Sequence, residues 1–247
     1  MAKTGISKFL KTSALALVFV CAPVSQTLAF DQFASQEAMN QAHAAMRQNM
    51  IVVPAEEGAH AGNRAEENRS ANRSVAPAYR PDPSVRRATE TRLIADMRKH
   101  NAEAGAAAAQ VFAQHDIIAL YDKAAKARGL PSGDVPNAVA AYLIVMWGAA
   151  NQSKAQVTRA QAQAVRKQVA DGFDLSGAGL TNDAKKQTFS EGLIYQLVLV
   201  DMAMEDALNN GRSDEARRLS DMAHKQMLTA GLDMRALKLT DKGLIPR

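Results

Sequence analysis

Cysteine is almost absent: the 247-residue chain has one, Cys21. It falls in a segment that reads as a leader, so disulfides, thiolate catalysis and cysteine-based zinc or iron sites are excluded from the remainder. Aromatic residues make up only 5%, with a single Trp. Basic residues form no concentrated stripe interleaved with aromatics, which argues against a nucleic-acid surface. No apolar run reaches the roughly 18 to 20 residues that a membrane-spanning helix needs. What is present is ordinary for a globular protein, 47% hydrophobic and 22% charged. The length suits one sizeable domain or two small ones, and without disulfides the fold has to rest on its apolar core.

The N-terminus carries an address. Lys3, Lys8 and Lys11 precede an apolar stretch from Ala14 to Ala22, and Thr27-Leu28-Ala29 offers small residues where a signal peptidase inspects the chain. Residues 1–29 are therefore expected to be a secretory signal, cleaved before Phe30. Pro23 interrupts the apolar stretch, against a membrane anchor, and Val20 stands where acylation at Cys21 would want a small residue. The leader carries three lysines of a chain whose formal charge is +5, so much of the basic balance belongs to it.

Composition divides the rest. Residues 30–53 place Met39, His43, Met46 and Met50 on one face of an amphipathic helix. Residues 54–82 are Ala, Glu, Asn, Arg, Ser, Gly and Pro with almost nothing to bury, which predicts a disordered linker. From residue 83 to 247 the pattern is helical, and the fold class is all-α, a bundle of about six to seven helices. Pro83-Ser84 and Asp116 open helices, and Gly129 closes one. Ala138 to Ala150 has no charge and is apolar all round, which predicts a buried central helix. Leu193 to Met204 is a second apolar centre. Thr181 is expected to cap its helix, with Asp183 in the first turn, and Ser213 to cap the last one. The tail beyond Leu232 alternates apolar and polar residues and reads as a short extended or turn segment; no strand pair is expected.

Chemistry is sparse. His43, His60, His100, His115 and His224 form no metal-binding pair, and Asp171 to Gly177 lacks the ligands of a calcium loop, so no metal and no cofactor are expected. There is no nucleophile elbow and no phosphate-cradling loop. Glu191, Asp201 and Glu205 share one helical stripe; the plain reading is an acidic seam paired with Arg217, Arg218 or Lys225 on the next helix. Asp201 is the most informative residue, because a carboxylate inside an apolar run must be paired or hydrogen-bonded if buried. Its alternatives are a core contact that fixes helix register or one wall of a polar pocket with Tyr142, Trp147, Asn151, Tyr195 and Gln196.

Gly129-Leu130, Asp134-Val135, Asn137-Ala138, Ala141-Tyr142, Trp147 and Ala150-Asn151 form one ordered set of motifs. Glu191-Gly192-Leu193-Ile194-Tyr195-Gln196, Asp201, Gly231-Leu232-Asp233, Leu237, Leu239-Thr240 and Gly243 continue it. Together, over about Pro83 to Leu244, they resemble a family of uncharacterised secreted bacterial proteins, a domain of unknown function. The resemblance implies a helical, exported domain and supplies no chemistry. The expected function is an exported scaffold or interaction module of the bacterial envelope or exterior, with a protein partner. The alternative is a periplasmic hydrolase or small-ligand-binding protein using Asp201. N-terminal sequencing of the protein secreted by a bacterial host should begin at Phe30; an intact Met1 on the exported protein would overturn the leader assignment.

Overall fold

The computed structural model describes residues 75–247. The leader, the Met39–Met50 face and residues 54–74 of the expected linker lie outside the described residues. Seven α-helices follow one another: α1 (Pro83–His100), α2 (Ala102–Gln114), α3 (Ile117–Ala125), α4 (Val135–Ala150), α5 (Arg159–Gly172), α6 (Asp183–Asn209) and α7 (Ser213–Thr229). A short 3-10 turn, Lys126–Arg128, extends α3 and ends at Gly129 in the left-handed conformation, φ 73°. The all-α reading holds, with one addition at the C-terminus described below.

Helix starts are set by side chains that accept orphan backbone N–H groups. Asp82 caps α1 with Pro83 in the first turn, Asp116 caps α3 and Asp134 caps α4. Thr158 and Gln161 close a reciprocal capping box on α5. At α6 the cap is Asn182, one residue beyond the expected Thr181, and at α7 Arg212 occupies the cap position, with Ser213 inside the helix. Asn101 serves twice, ending α1 and capping α2. That one-residue joint forces the two helices together at Gly105, where a Cβ would stand 2.4 Å from Arg98 Cγ and 2.7 Å from the Arg98 backbone nitrogen. Only glycine fits against a neighbouring backbone that close.

Helix α4 is the axis of the bundle. Every residue from Val135 to Met146 is buried, and α5, α6 and α7 all pack on it. Its partner α6 runs 27 residues, about 40 Å at 1.5 Å per residue, and also touches α1, α3 and α7. Tyr121, Tyr142, Phe173, Leu143, Leu193 and Ile194 are among the largest fully buried side chains. Each such side chain contributes roughly 1.5–3 kcal/mol by leaving water.

Two segments outside the helices complete the domain. Residues 75–82, on the linker side of the expected boundary, form a strap across the ends of α4 and α6. Ala78 bridges Asp134, Tyr79 N donates to Gly133 O at 3.0 Å and Val135 N to Pro77 O at 3.1 Å. Asp82 N donates to Gln187 Oε1 at 2.8 Å, and Gln187 Nε2 returns to Asp82 O at 2.9 Å. Tyr79 is 7% exposed. Near the C-terminus a hairpin replaces the expected extended or turn segment: β1 (Leu237–Thr240) pairs antiparallel with β2 (Gly243–Pro246). Its reversal at Asp241-Lys242 lacks an Asn-Gly signal, and Gly243 supplies the positive φ of 99° after it. The hairpin is held from the side by Gln168 of α5, which accepts from Leu244 N at 2.9 Å and donates to Leu244 O at 3.0 Å.

Candidate functional site

The structure distributes the six sequence-selected residues among different partners. Trp147 and Asn151, at the end of α4, fasten the C-terminal segment. Trp147 Nε1 donates to Leu237 O at 3.0 Å, and Asn151 Nδ2 to Met234 O at 2.8 Å and Trp147 O at 2.9 Å. Arg247 closes the loop from the other side, donating to Asn151 Oδ1 at 2.8 Å and Leu237 O at 3.1 Å. Arg235 and Ser220 both donate to Ala150 O, the carbonyl that ends α4. Tyr142 is fully buried, and its hydroxyl accepts from Gln226 Nε2 of α7 at 3.0 Å. Gln196 is buried on α6 at 2% exposure.

Tyr195 belongs to a second place, the seam between α1 and α6. Its hydroxyl donates to Glu90 Oε1 at 2.6 Å, and its ring tilts against Phe112 with centroids 5.0 Å apart. One turn away, Glu191 is 1% exposed. Its Oε1 collects Arg86 NH2 at 3.0 Å, Arg86 Nε at 3.2 Å and Gln187 Nε2 at 3.1 Å. Burial raises the Glu191 carboxyl above the usual carboxylate range, and Arg86 pulls it back down. Arg86 also lies 3.9 Å from Asp116 Oδ2. Glu191 thus faces a cation on the first helix and not the expected Arg217, Arg218 or Lys225 on the helix that follows. Arg86 and Glu191 are 105 residues apart in the chain. A sequence reading has no signal for such a pair beyond the burial of Glu191 itself.

Asp201 forms the third place. It is 2% exposed, and neither carboxylate oxygen has a hydrogen-bond partner. Burial pushes its carboxyl up to about 7, the Glu205 charge adds to the rise, and Arg128 at the 3-10 turn opposes it. Arg128 itself donates to Ala124 O at 3.0 Å and Val157 O at 3.3 Å. Asp201 is therefore not hydrogen-bonded into the expected seam of inter-helix ion pairs: it is a carboxyl group in the core, held there largely in its neutral form at acidic pH.

The chemistry open to these groups is limited by access. Glu191 and Asp201 are the two carboxylates with perturbed proton affinity and burial, and each is closed to solvent. A general acid or base has to reach the proton it transfers, at about 2.6–3.2 Å. Among the described residues no group of three or more His, Cys, Asp or Glu side chains converges as a metal site, and no helix is long and apolar enough to cross a membrane.

Fold and site together define a helical domain built on a charge-free axis, with its polar side chains turned to internal fastening. The chain belongs to the family of unknown function DUF6683, whose model matches residues 6–247. No curated protein and no solved structure matches it. The match is wider than the motifs seen in the sequence, since it takes in the N-terminal residues as well.

Two substitutions probe the buried charges. Arg86→Met strands Glu191, and denaturant unfolding should show a loss of about 3–5 kcal/mol; adding Glu191→Met should recover most of it. Equal losses in the single and double variants would show that the two groups are not coupled. For Asp201 the folded state holds its proton to higher pH than the unfolded chain does. It therefore contributes stability that falls as pH rises from about 4 to about 7. Asp201→Asn should flatten that slope, leaving the variant more stable than the native protein at pH 8 by up to roughly 4 kcal/mol, at about 1.4 kcal/mol per pKa unit. Parallel melting-temperature curves between pH 4 and 8 would overturn this account.

Proposed function

We propose that this protein is an exported helical scaffold of the bacterial envelope or exterior, and that the segment before its folded domain engages a protein partner. One observation carries the scaffold half: the residues best suited to gripping a ligand are committed to the chain itself. Trp147 and Asn151 hold backbone carbonyls of the C-terminal segment, and Tyr195 holds Glu90. Asp201, at 2% exposure, lies too deep for a substrate, which weighs against the hydrolase or ligand-pocket reading.

The partner half rests on the N-terminal portion. The family model extends through it from residue 6, so this portion is part of the sequence that the family model matches. Its sequence sets Met39, His43, Met46 and Met50 at helical spacing, the pattern of an amphipathic helix that lays an apolar face in a partner's groove. The leader read in residues 1–29 supports export.

The comparison that tests this is between the exported protein and a form lacking residues 30–74. The cut has to spare residues 75–82, because they are hydrogen-bonded to α4 and α6. Thermal melts should coincide within a degree or two, and crosslinking in the native envelope fraction should yield a stoichiometric partner only with the longer form. A partner retained by the shorter form, or none with either, would overturn the reading.

A further inference from the structure

Helix α1 carries positive charge that the fold does not use. Between Pro83 and His100 it holds Arg86, Arg87, Arg92, Arg98 and Lys99 against two carboxylates, Glu90 and Asp96. Glu90 accepts from the Tyr195 hydroxyl, Arg86 reaches in to Glu191, and Lys99 donates to Asp96 at 2.9 Å. Arg87, Arg92 and Arg98 are left over. All three are exposed, and among the described residues their guanidinium groups close no ion pair and no hydrogen bond. Asp82 at the helix cap feels the charge of Arg87 without pairing with it.

Helix stability explains one of these arginines. A cation in the last turn complements the helix dipole, as Arg98 does. Arg87 lies near the N-terminal end, where that dipole disfavours a cation, and Arg92 lies in mid-helix. At roughly 100° per residue all three fall away from the buried stripe of Thr89, Leu93 and Met97, with exposed Ala88, Thr91 and Ala95 between them. The neighbouring helix α2 has one charged residue, Glu103, and otherwise shows Ala and Gln to solvent, so little on that flank neutralises the arginines or rises above them. The contrast is α7, where exposed Arg217 pairs with Asp214 at 2.8 Å.

The shape of the patch selects its partner. Arg87 and Arg98 are separated by about 16 Å along the axis, at 1.5 Å per residue, so the three do not converge on one phosphate or carboxylate. They stand on a ridge, and the helix has no aromatic side chain to stack a base. Protein interfaces are anchored by large side chains, whereas the exposed residues between these arginines are small; Leu228, the exposed large hydrophobe of the described residues, sits on α7. A plane dense in phosphate groups asks only for cations spread along a convex face, each meeting whichever headgroup lies below it. We propose that the outer side of α1 docks the domain on a surface of anionic phospholipid, through Arg87, Arg92 and Arg98. The inference rests on these side chains and not on the scaffold reading, and it survives the failure of that reading.

Co-sedimentation of the exported protein with vesicles of phosphatidylglycerol and phosphatidylcholine measures this contact. Binding should grow with the phosphatidylglycerol fraction, be absent from pure phosphatidylcholine and disappear at about 1 M salt, where the Debye length is ~3 Å. Arg87→Gln, Arg92→Gln and Arg98→Gln together keep helix propensity and should weaken binding roughly fivefold per arginine, about a hundredfold in all, with a native circular dichroism spectrum. The matching control, Arg217→Gln, Arg218→Gln and Lys225→Gln, removes the same charge from exposed positions of α7 and should bind nearly as the native protein does. Equal losses in the two triple variants, undiminished binding by the α1 variant, or no binding by the native protein would overturn the proposal. So would a native protein that ignores the vesicles but is held by polyglutamate in a salt-sensitive way, which would assign the patch to an acidic polypeptide. Should the α1 triple variant lose its fold, the three single substitutions carry the test, and no loss in any of them overturns it.

Discussion

A helix of 16 residues without one charged side chain has to be covered on all sides, and the rest of this domain is arranged around that requirement. Val135–Ala150 is that helix. Left exposed, it would present Tyr142, Leu143, Ile144, Val145 and Met146 to water, at roughly 25 cal/mol for each Å². α5, α6 and α7 enclose it, and residues 75–82 and the C-terminal segment finish the enclosure. The strap closes over its N-terminal end, and the C-terminal segment is fastened to its far end. A helix buried all round has few hydrogen-bonding side chains to offer. Those it has, Asn137, Tyr142 and Trp147, and the cap residue Asn151 that follows it, are accordingly spent on neighbouring segments.

The long helix α6 has the opposite problem. It carries Glu191 and Asp201 into the same core, and the two carboxyl groups are accommodated differently. Glu191 keeps a cation beside it, since Arg86 reaches in from α1 with its own side chain partly in solvent. Asp201 has no such partner among its hydrogen bonds, and its environment favours the proton. One group has a cation that opposes the effect of burial and the other has no hydrogen-bonded partner and is shifted further toward its neutral form by desolvation. Both arrangements are costly relative to apolar packing, and only the Arg86–Glu191 pair ties one helix to another.

Much of the fold was legible in the sequence because helix signals are local. The charge-free run at Ala138 to Ala150, the cap at Asp116 and the left-handed stop at Gly129 each depend on residues within a few positions, and each stands in the structure where its chemistry placed it. The hairpin was not legible. Its strands are four residues each, too short for alternation to outweigh chance, and its turn is closed by Gly243 without the usual dipeptide. The strap was missed for a related reason. Val75–Asp82 has the composition of a linker, and one buried tyrosine together with backbone bonds to distant loops holds it in place.

What the sequence determined by itself was therefore the set of helices, the apolar axis and the expectation that Asp201 and Glu191 would be costly to bury. Periodicity and capping act over a turn or two, so a linear reading captures them. What only the tertiary structure decided was which groups meet. Arg86 with Glu191, Trp147 with Leu237, and Tyr79 with Ser190 are brought together across 105, 90 and more than a hundred positions of chain. Such contacts follow from how the helices pack, and the strength of a buried charge or hydrogen bond depends on distances that no local pattern encodes.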